Sequence, residues 1–220
     1  MEKKNKNATS RYLDDTLGEE IASAITHGIG ALLAVAMLVI LVVLAAKRGD
    51  PWRIVSFSIY GASMIMLFLM SMFSHAFPNG GVKRFFQIMD YASIYFLIAG
   101  TYTPLTLVAI KGAWGWTLFG IIWGLAILGI VFKTFFLGKF EKVSLAIYVA
   151  MGWLVVIAIK PLLVNVKPMF LLWLSIGGVL YTVGIIFYVV KQIPFHHAIW
   201  HLFVLGGAIC IFFGFLFYVA

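Results

Sequence analysis

Seven stretches of the chain are predominantly apolar, at roughly residues 22–45, 54–77, 86–109, 114–133, 143–164, 168–190 and 197–219. Each has about the 20 residues that a helix needs to cross the hydrocarbon of a bilayer. Between them lie short connections rich in turn and breaker residues, such as Lys47-Arg48-Gly49-Asp50-Pro51, Pro78-Asn79-Gly80-Gly81, Lys111-Gly112-Ala113 and Leu137-Gly138-Lys139. The pattern predicts an all-α integral membrane protein, a bundle of seven transmembrane helices. It divides into a tail at 1–20 and a seven-span domain at 21–220. Basic residues precede the first span, but its apolar run from Ile21 to Ala46 far exceeds the ~7–15 residues of a secretory signal. The first span is therefore expected to be retained.

Composition agrees. Residues of the AVILMFWYC set make up 63% of the chain and charged residues 11%, against ~45–50% and ~25% in soluble domains. The net charge of +8 would suggest nucleic acid on a soluble protein. Here the cations sit in the connections, where they meet lipid headgroups, so no nucleic-acid partner is expected. Lone Cys210 lies inside the last apolar run and has no partner for an intrachain disulfide. On alternate sides of the spans the Lys and Arg count is ten (Lys3, Lys4, Lys6, Arg11, Lys83, Arg84, Lys133, Lys139, Lys142 and Lys191) against six. The positive-inside rule then puts the N-terminus in the cytoplasm and the C-terminus outside a cell membrane.

Ionisable side chains inside such spans are costly and mark function by default. They are few: His27, His75, Asp90, His196, His197 and His201, with Glu19 and Glu20 at the mouth of the first span. With the orientation above, Glu20 and His27 begin the first span, His75 ends the second, Asp90 begins the third, and His197 and His201 begin the seventh. All fall near the cytoplasmic face. His197 and His201 are i and i+4, so they share one helix face, as do Ser71 and His75, whereas His196 points about 100° away. Glu20 and His27, two turns apart, share a face of the first span. Singly, each residue has a plainer role in packing or helix bridging. Together, three neutral imidazoles and an open position make the arrangement of a catalytic zinc, with Asp90 orienting a water or a ligand histidine or acting as general base.

At these positions the sequence resembles the haemolysin III family, the bacterial branch of the progestin and adipoQ receptor superfamily. The matching strings are Glu19-Glu20-Ile21-Ala22 through Ile25-Thr26-His27-Gly28, then Ser71-Met72-Phe73-Ser74-His75, then Asp90. They continue with Ile98-Ala99-Gly100-Thr101-Tyr102-Thr103-Pro104 and Phe195-His196-His197-Ala198-Ile199-Trp200-His201-Leu202-Phe203. The resemblance implies a seven-helix bundle whose zinc is held by His75, His197 and His201, with Asp90 on the zinc water and Ser71 beside the site. The superfamily includes alkaline ceramidases, so the resemblance also implies zinc-dependent hydrolysis of an amide or ester in a membrane lipid. Hormone-binding members carry a longer cytoplasmic domain and an extracellular tail that this sequence does not match, and no protein hormone is expected as partner. Two further classes compete. One is a haemolysin-type cytolysin or a regulator of membrane state, with zinc as a structural clamp. The other is an ion relay, against which the polar residues stop at one face.

Overall fold

The structure is a computed structural model that describes residues 16–220. Lys3, Lys4, Lys6 and Arg11, four of the cations in the orientation count, lie outside the described residues. Among the described residues the chain is helical, without strands. Its helices are α1 (Leu17–Lys47), α2 (Pro51–Ala76), α3 (Gly81–Pro104), α4 (Gly112–Phe135), α5 (Glu141–Trp153), α6 (Ile159–Asn165), α7 (Pro168–Val189) and α8 (His196–Tyr218). A π-helical turn (Leu105–Ile110) prolongs α3, and a 3₁₀ turn (Leu154–Ala158) joins α5 to α6 within one span. Seven helical segments are thus long and apolar enough to cross a membrane, and the protein is a multi-pass integral membrane protein.

Local chemistry accounts for the ends. Asp50 caps α2, accepting from Trp52 N at 2.9 Å, with Pro51 in the first helical position. Thr16 caps α1 by accepting from Glu19 N at 3.2 Å. Thr16 and Glu19 have capping-box spacing, so α1 starts at Leu17, inside the stretch assigned to the tail, and Glu19 and Glu20 stand on the helix. The fifth span departs from the single helix expected over 143–164. Pro161 has no N–H to bond the carbonyl of Ile157 and its ring crowds that carbonyl, so the preceding turn tightens to 3₁₀. A side chain from α3 repairs the break. Tyr102 Oη donates to Gly152 O at 3.0 Å and accepts from Val155 N at 2.7 Å. Backbone groups inside a bilayer need such partners because no water reaches them.

The third span, α3 with its π-helical turn, is the hub: it is the most buried of the seven, and the fifth and sixth are the least. It packs between α2 and α4, α1 lies against α2 and α8, and α7 pairs with α8. Large apolar side chains left exposed on the outside, such as Leu32, Leu128 and Val164, face lipid. The run Met64–Met70 contributes Met64, Leu67 and Phe68 to the core. Small residues let the helices approach closely. A Cβ on Gly100 would lie 2.1 Å from Ser63 Oγ, and one on Gly115 would lie 2.3 Å from the carbonyl oxygen of Thr106. A backbone carbonyl cannot step aside as a side chain can. Gly115→Ala is therefore expected to destabilise the protein by about 1–3 kcal/mol, the usual cost of overpacking. Gly124→Ala, with nothing within 4 Å of its Cβ, is the matched control. Thermal unfolding in one detergent compares the two, and equal midpoints would refute the close approach.

An odd number of crossings puts the two ends of the domain on opposite sides of the membrane. A C-terminal reporter is expected outside and an N-terminal one inside. Two ends reporting the same side would overturn the seven-span count.

Candidate metal centre

Four helices bring polar side chains to one end of the bundle. α2 contributes His75 in its last turn, and α8 contributes His197 and His201 in its first two. The ring centroids are 4.8 Å apart for His75–His197, 5.1 Å for His75–His201 and 4.7 Å for His197–His201. One nitrogen from each ring falls within 4.8 Å of the others. The three imidazoles form a group that can hold a metal ion.

Hydrogen bonds set which nitrogen two of the rings present. Glu20 Oε2 accepts from His75 Nδ1 at 2.6 Å. The backbone oxygen of Ser23 accepts from His201 Nδ1 at 3.3 Å. A carboxylate and a carbonyl only accept, so both Nδ1 atoms carry hydrogen, and in the neutral rings both Nε2 atoms keep a free lone pair. His201 Nε2 is buried without a hydrogen-bond partner among the described residues, as a ligand atom awaiting a cation would be. Carboxylate–histidine pairs of the Glu20–His75 kind orient ligands and raise their basicity in metalloproteins.

α1 provides the outer support. Glu20 Oε1 accepts from Lys83 Nζ at 2.6 Å, so one carboxylate bridges a ring on α2 and a cation on α3. Its neighbour Glu19 accepts from the backbone N–H of His197 at 3.1 Å. The α8 N-cap residue, Phe195, has left-handed backbone and makes no side-chain cap, so a carboxylate from another helix supplies that cap. Adjacent acids on α1 thus hold both helices that carry the three imidazoles. We expect Glu20→Gln to weaken metal affinity about 10–100-fold, the usual cost of losing an outer partner. Competition with a chromophoric chelator measures it, and unchanged affinity would refute the positioning role.

The remaining sequence candidates are placed as follows. Asp90 on α3 lies 3.2 Å from the hydroxyl of Ser74, the residue before His75, and that hydroxyl also donates to Ser71 O at 2.9 Å. Ser71 is fully buried one turn earlier, and its hydroxyl has no hydrogen-bond partner among the described residues. His27 is not paired with Glu20. It lies flat on His201, with centroids 3.5 Å apart and planes at 11°, and meets Phe68 edge-on. His196 turns to the carbonyl of Phe187 at 3.1 Å and is outside the three-ring group. Sequence reasoning missed Ser74, Ser23, Lys83 and Glu19 as partners. Glu19 stood among the ionisable residues at the mouth of the first span without an assigned partner, and Ser74 adjoins His75, which was the available signal. Lys83 reads from sequence as an orienting cation, yet it is only 7% exposed.

Beside the three rings an elongated cavity of about 430 Å³ runs between the third, fifth, sixth and seventh spans. Of the polar group, His27 and Asp90 lie on its wall. From Asp90 the lining continues along α3 to Leu105, fifteen residues on, or about 22 Å at the helical rise. Most of that wall is apolar, with Leu162, Leu174 and Ile211 among its residues.

These features define a class: a seven-span membrane protein with an intramembrane three-histidine centre beside a long apolar cavity. The sequence profile of the family described as "Haemolysin-III related" matches residues 16–212, and the chain belongs to that family. It is 51% identical over 201 residues to "Hemolysin-3" of Bacillus cereus, covering 91% of this chain and 92% of that one. It is 52% identical over 203 residues to the "Hemolysin-3 homolog" of Bacillus subtilis (strain 168), covering 92% and 95%. A human protein, "Monocyte to macrophage differentiation factor", is 30% identical over 207 residues, 91% of this chain and 84% of that one. That similarity supports the wider progestin and adipoQ receptor superfamily. No solved structure matches the chain.

Proposed function

We propose that the protein is a zinc-dependent hydrolase of an amide or ester bond in a membrane lipid, acting in the cell membrane. The observation that carries the reading is a three-imidazole group joined, through His27 stacked on His201, to an apolar cavity whose wall holds His27 and Asp90.

The donor set fits zinc. His75, His197 and His201 would hold it, and three neutral nitrogens leave one of zinc's four positions open, as catalytic rather than structural sites do. When bound there, zinc polarises a carbonyl and acidifies a water where the bilayer excludes bulk solvent. The chain's own residues do the rest. Glu20 and the Ser23 carbonyl keep the rings of His75 and His201 in one tautomer. Asp90, half-buried at the cavity wall and 3.2 Å from Ser74 Oγ, would take a proton from the attacking water and return it to the leaving group. The apolar length of the cavity admits one acyl chain, with the scissile bond at the polar end.

A second reading rests on the names of the bacterial relatives, "Hemolysin-3" and "Hemolysin-3 homolog": a cytolytic or membrane-state role in which zinc only ties α2 to α8. The test is fatty-acid release by purified, zinc-loaded protein from ceramide-like and ester lipids in detergent. Release above a metal-stripped control supports the hydrolase. No release, together with leakage of dye from liposomes, would replace it with the second reading.

A further inference from the structure

Six side chains that carry hydroxyls line the long cavity: Thr101, Tyr102, Tyr148, Ser175, Tyr181 and Thr182. Three are spent within the protein. Tyr102 bridges the break in the fifth span, Tyr148 Oη donates to Tyr91 O at 3.0 Å, and Thr182 Oγ1 donates to Gly178 O at 2.7 Å while accepting from Trp153 Nε1 at 3.1 Å. Thr101, Ser175 and Tyr181 hydrogen-bond to no described residue. Thr101 also forgoes the usual outlet of a helical threonine, which Thr103 takes by donating to Ala99 O, four residues back, at 2.8 Å. Nor are these three oxygens walled off, as the hydroxyls of Ser23 and Ser71 are. They open on the cavity, where hydrocarbon alone would leave them unpaired at a cost.

The helices set their depth. Thr101 follows Asp90 by eleven residues on α3, about 16 Å away from the histidine end at the helical rise. A Cβ on Gly207 would lie 2.8 Å from the Tyr181 ring, and Gly207 follows His201 by six residues on α8, about 9 Å in the same direction. Ser175 precedes Tyr181 by six residues on α7, a further ~9 Å out. An extended chain advances about 1.2 Å per bond. An acyl chain whose carbonyl sits at the polar end of the cavity therefore passes these hydroxyls between roughly its eighth and fifteenth carbons.

Resting on the lipid-hydrolase reading, we infer that the cavity takes an acyl chain bearing a hydroxyl near its middle, and that Thr101, Ser175 and Tyr181 select it over the plain chain. Each wall hydroxyl both donates and accepts, and so does a hydroxyl on the chain. A plain chain offers neither function and leaves the wall unpaired. The contact lies many bonds from the scissile carbonyl, so it governs which lipid is bound.

The probes are 12-hydroxystearic acid and stearic acid, the products that hydrolysis of the two kinds of lipid would release. Dissociation constants are measured on zinc-loaded protein in nanodiscs, for wild type and for Thr101→Val/Ser175→Ala/Tyr181→Phe. Comparing the ratio of the two constants between proteins cancels the different partitioning of the acids into the bilayer. Wild type is expected to favour the hydroxylated acid about tenfold more than the triple variant does. The variant loses no internal hydrogen bond and keeps each side chain's shape, so its unfolding temperature is expected to be no lower than that of wild type. Should the triple variant not fold, Tyr181→Phe alone carries the comparison, with a smaller fall expected. An equal ratio in wild type and variant, the result if water merely hydrates the wall, would overturn the inference and leave the hydrolase reading standing. A lowered unfolding temperature in a folded variant would show the hydroxyls already spent within the protein and overturn it too. Binding of neither acid by wild type would overturn both readings.

Discussion

The His197→Ala/His201→Ala protein is expected to carry almost no zinc where wild type carries about one ion per chain, since a site built on three imidazoles loses two at once. The effect should reach stability as well as occupancy. His75 ends α2, whereas His197 and His201 begin α8, so a bound ion ties together helices far apart in sequence. At free zinc near 1,000 times Kd, mass action adds about 4.1 kcal/mol to the folded state. Wild type should accordingly show a zinc-dependent rise in unfolding temperature that the double variant lacks. His196→Ala is the control for loss of a neighbouring imidazole: its ring turns to the carbonyl of Phe187 and stands 3.8 Å from Glu19, outside the three-ring group. Metal analysis of the purified proteins checks the first expectation and thermal unfolding with and without zinc the second. Full zinc retention in the double variant would remove the centre from these residues, and every mechanistic statement with it.

The spans were legible in the sequence because a bilayer demands long apolar runs, and no tertiary contact is needed to see them. What tertiary contact decides was less legible. The 3₁₀ break in the fifth span has a local cause in Pro161, but its repair depends on the Tyr102 hydroxyl arriving from α3. The start of α1 was placed too late because the capping box at Thr16 and Glu19 lies before the apolar run.

Much the same division holds at the site. The i, i+4 spacing of His197 and His201 puts two rings on one helix face, and odd and even spans bring His75, Asp90 and His27 to the same end of the bundle. Partner choice needs the rotation of each helix about its axis. Ser71 and Ser74 are three residues apart on one helix, and only the packing of α2 on α3 brings the Ser74 hydroxyl to 3.2 Å from Asp90. Glu20 similarly faces His75 and Lys83, whereas His27 on the same helix meets His201. Spacing along α1 places Glu20 and His27 on one face but does not say which neighbour each will reach.

The Asp90→Asn protein separates catalysis from structure. The change is nearly isosteric, and an amide oxygen can still accept from Ser74 Oγ, which now lies 3.2 Å from the carboxylate. It removes the negative charge and the capacity to take a proton. His75, His197 and His201 remain, so zinc should be retained, with a loss of affinity no greater than the ~10–100-fold typical of outer partners. Activity should fall further, because general acid–base assistance alone contributes ~10²–10⁴-fold. The decisive quantity is lipid cleaved per bound zinc, measured for both proteins at saturating metal so that any affinity loss drops out. A fall of about 10²-fold or more at full occupancy places Asp90 in proton transfer. Equal cleavage per zinc would remove Asp90 from the chemistry. Cleavage by neither protein, across amide and ester lipids alike, would leave zinc as a clamp between α2 and α8 and favour the membrane-state reading.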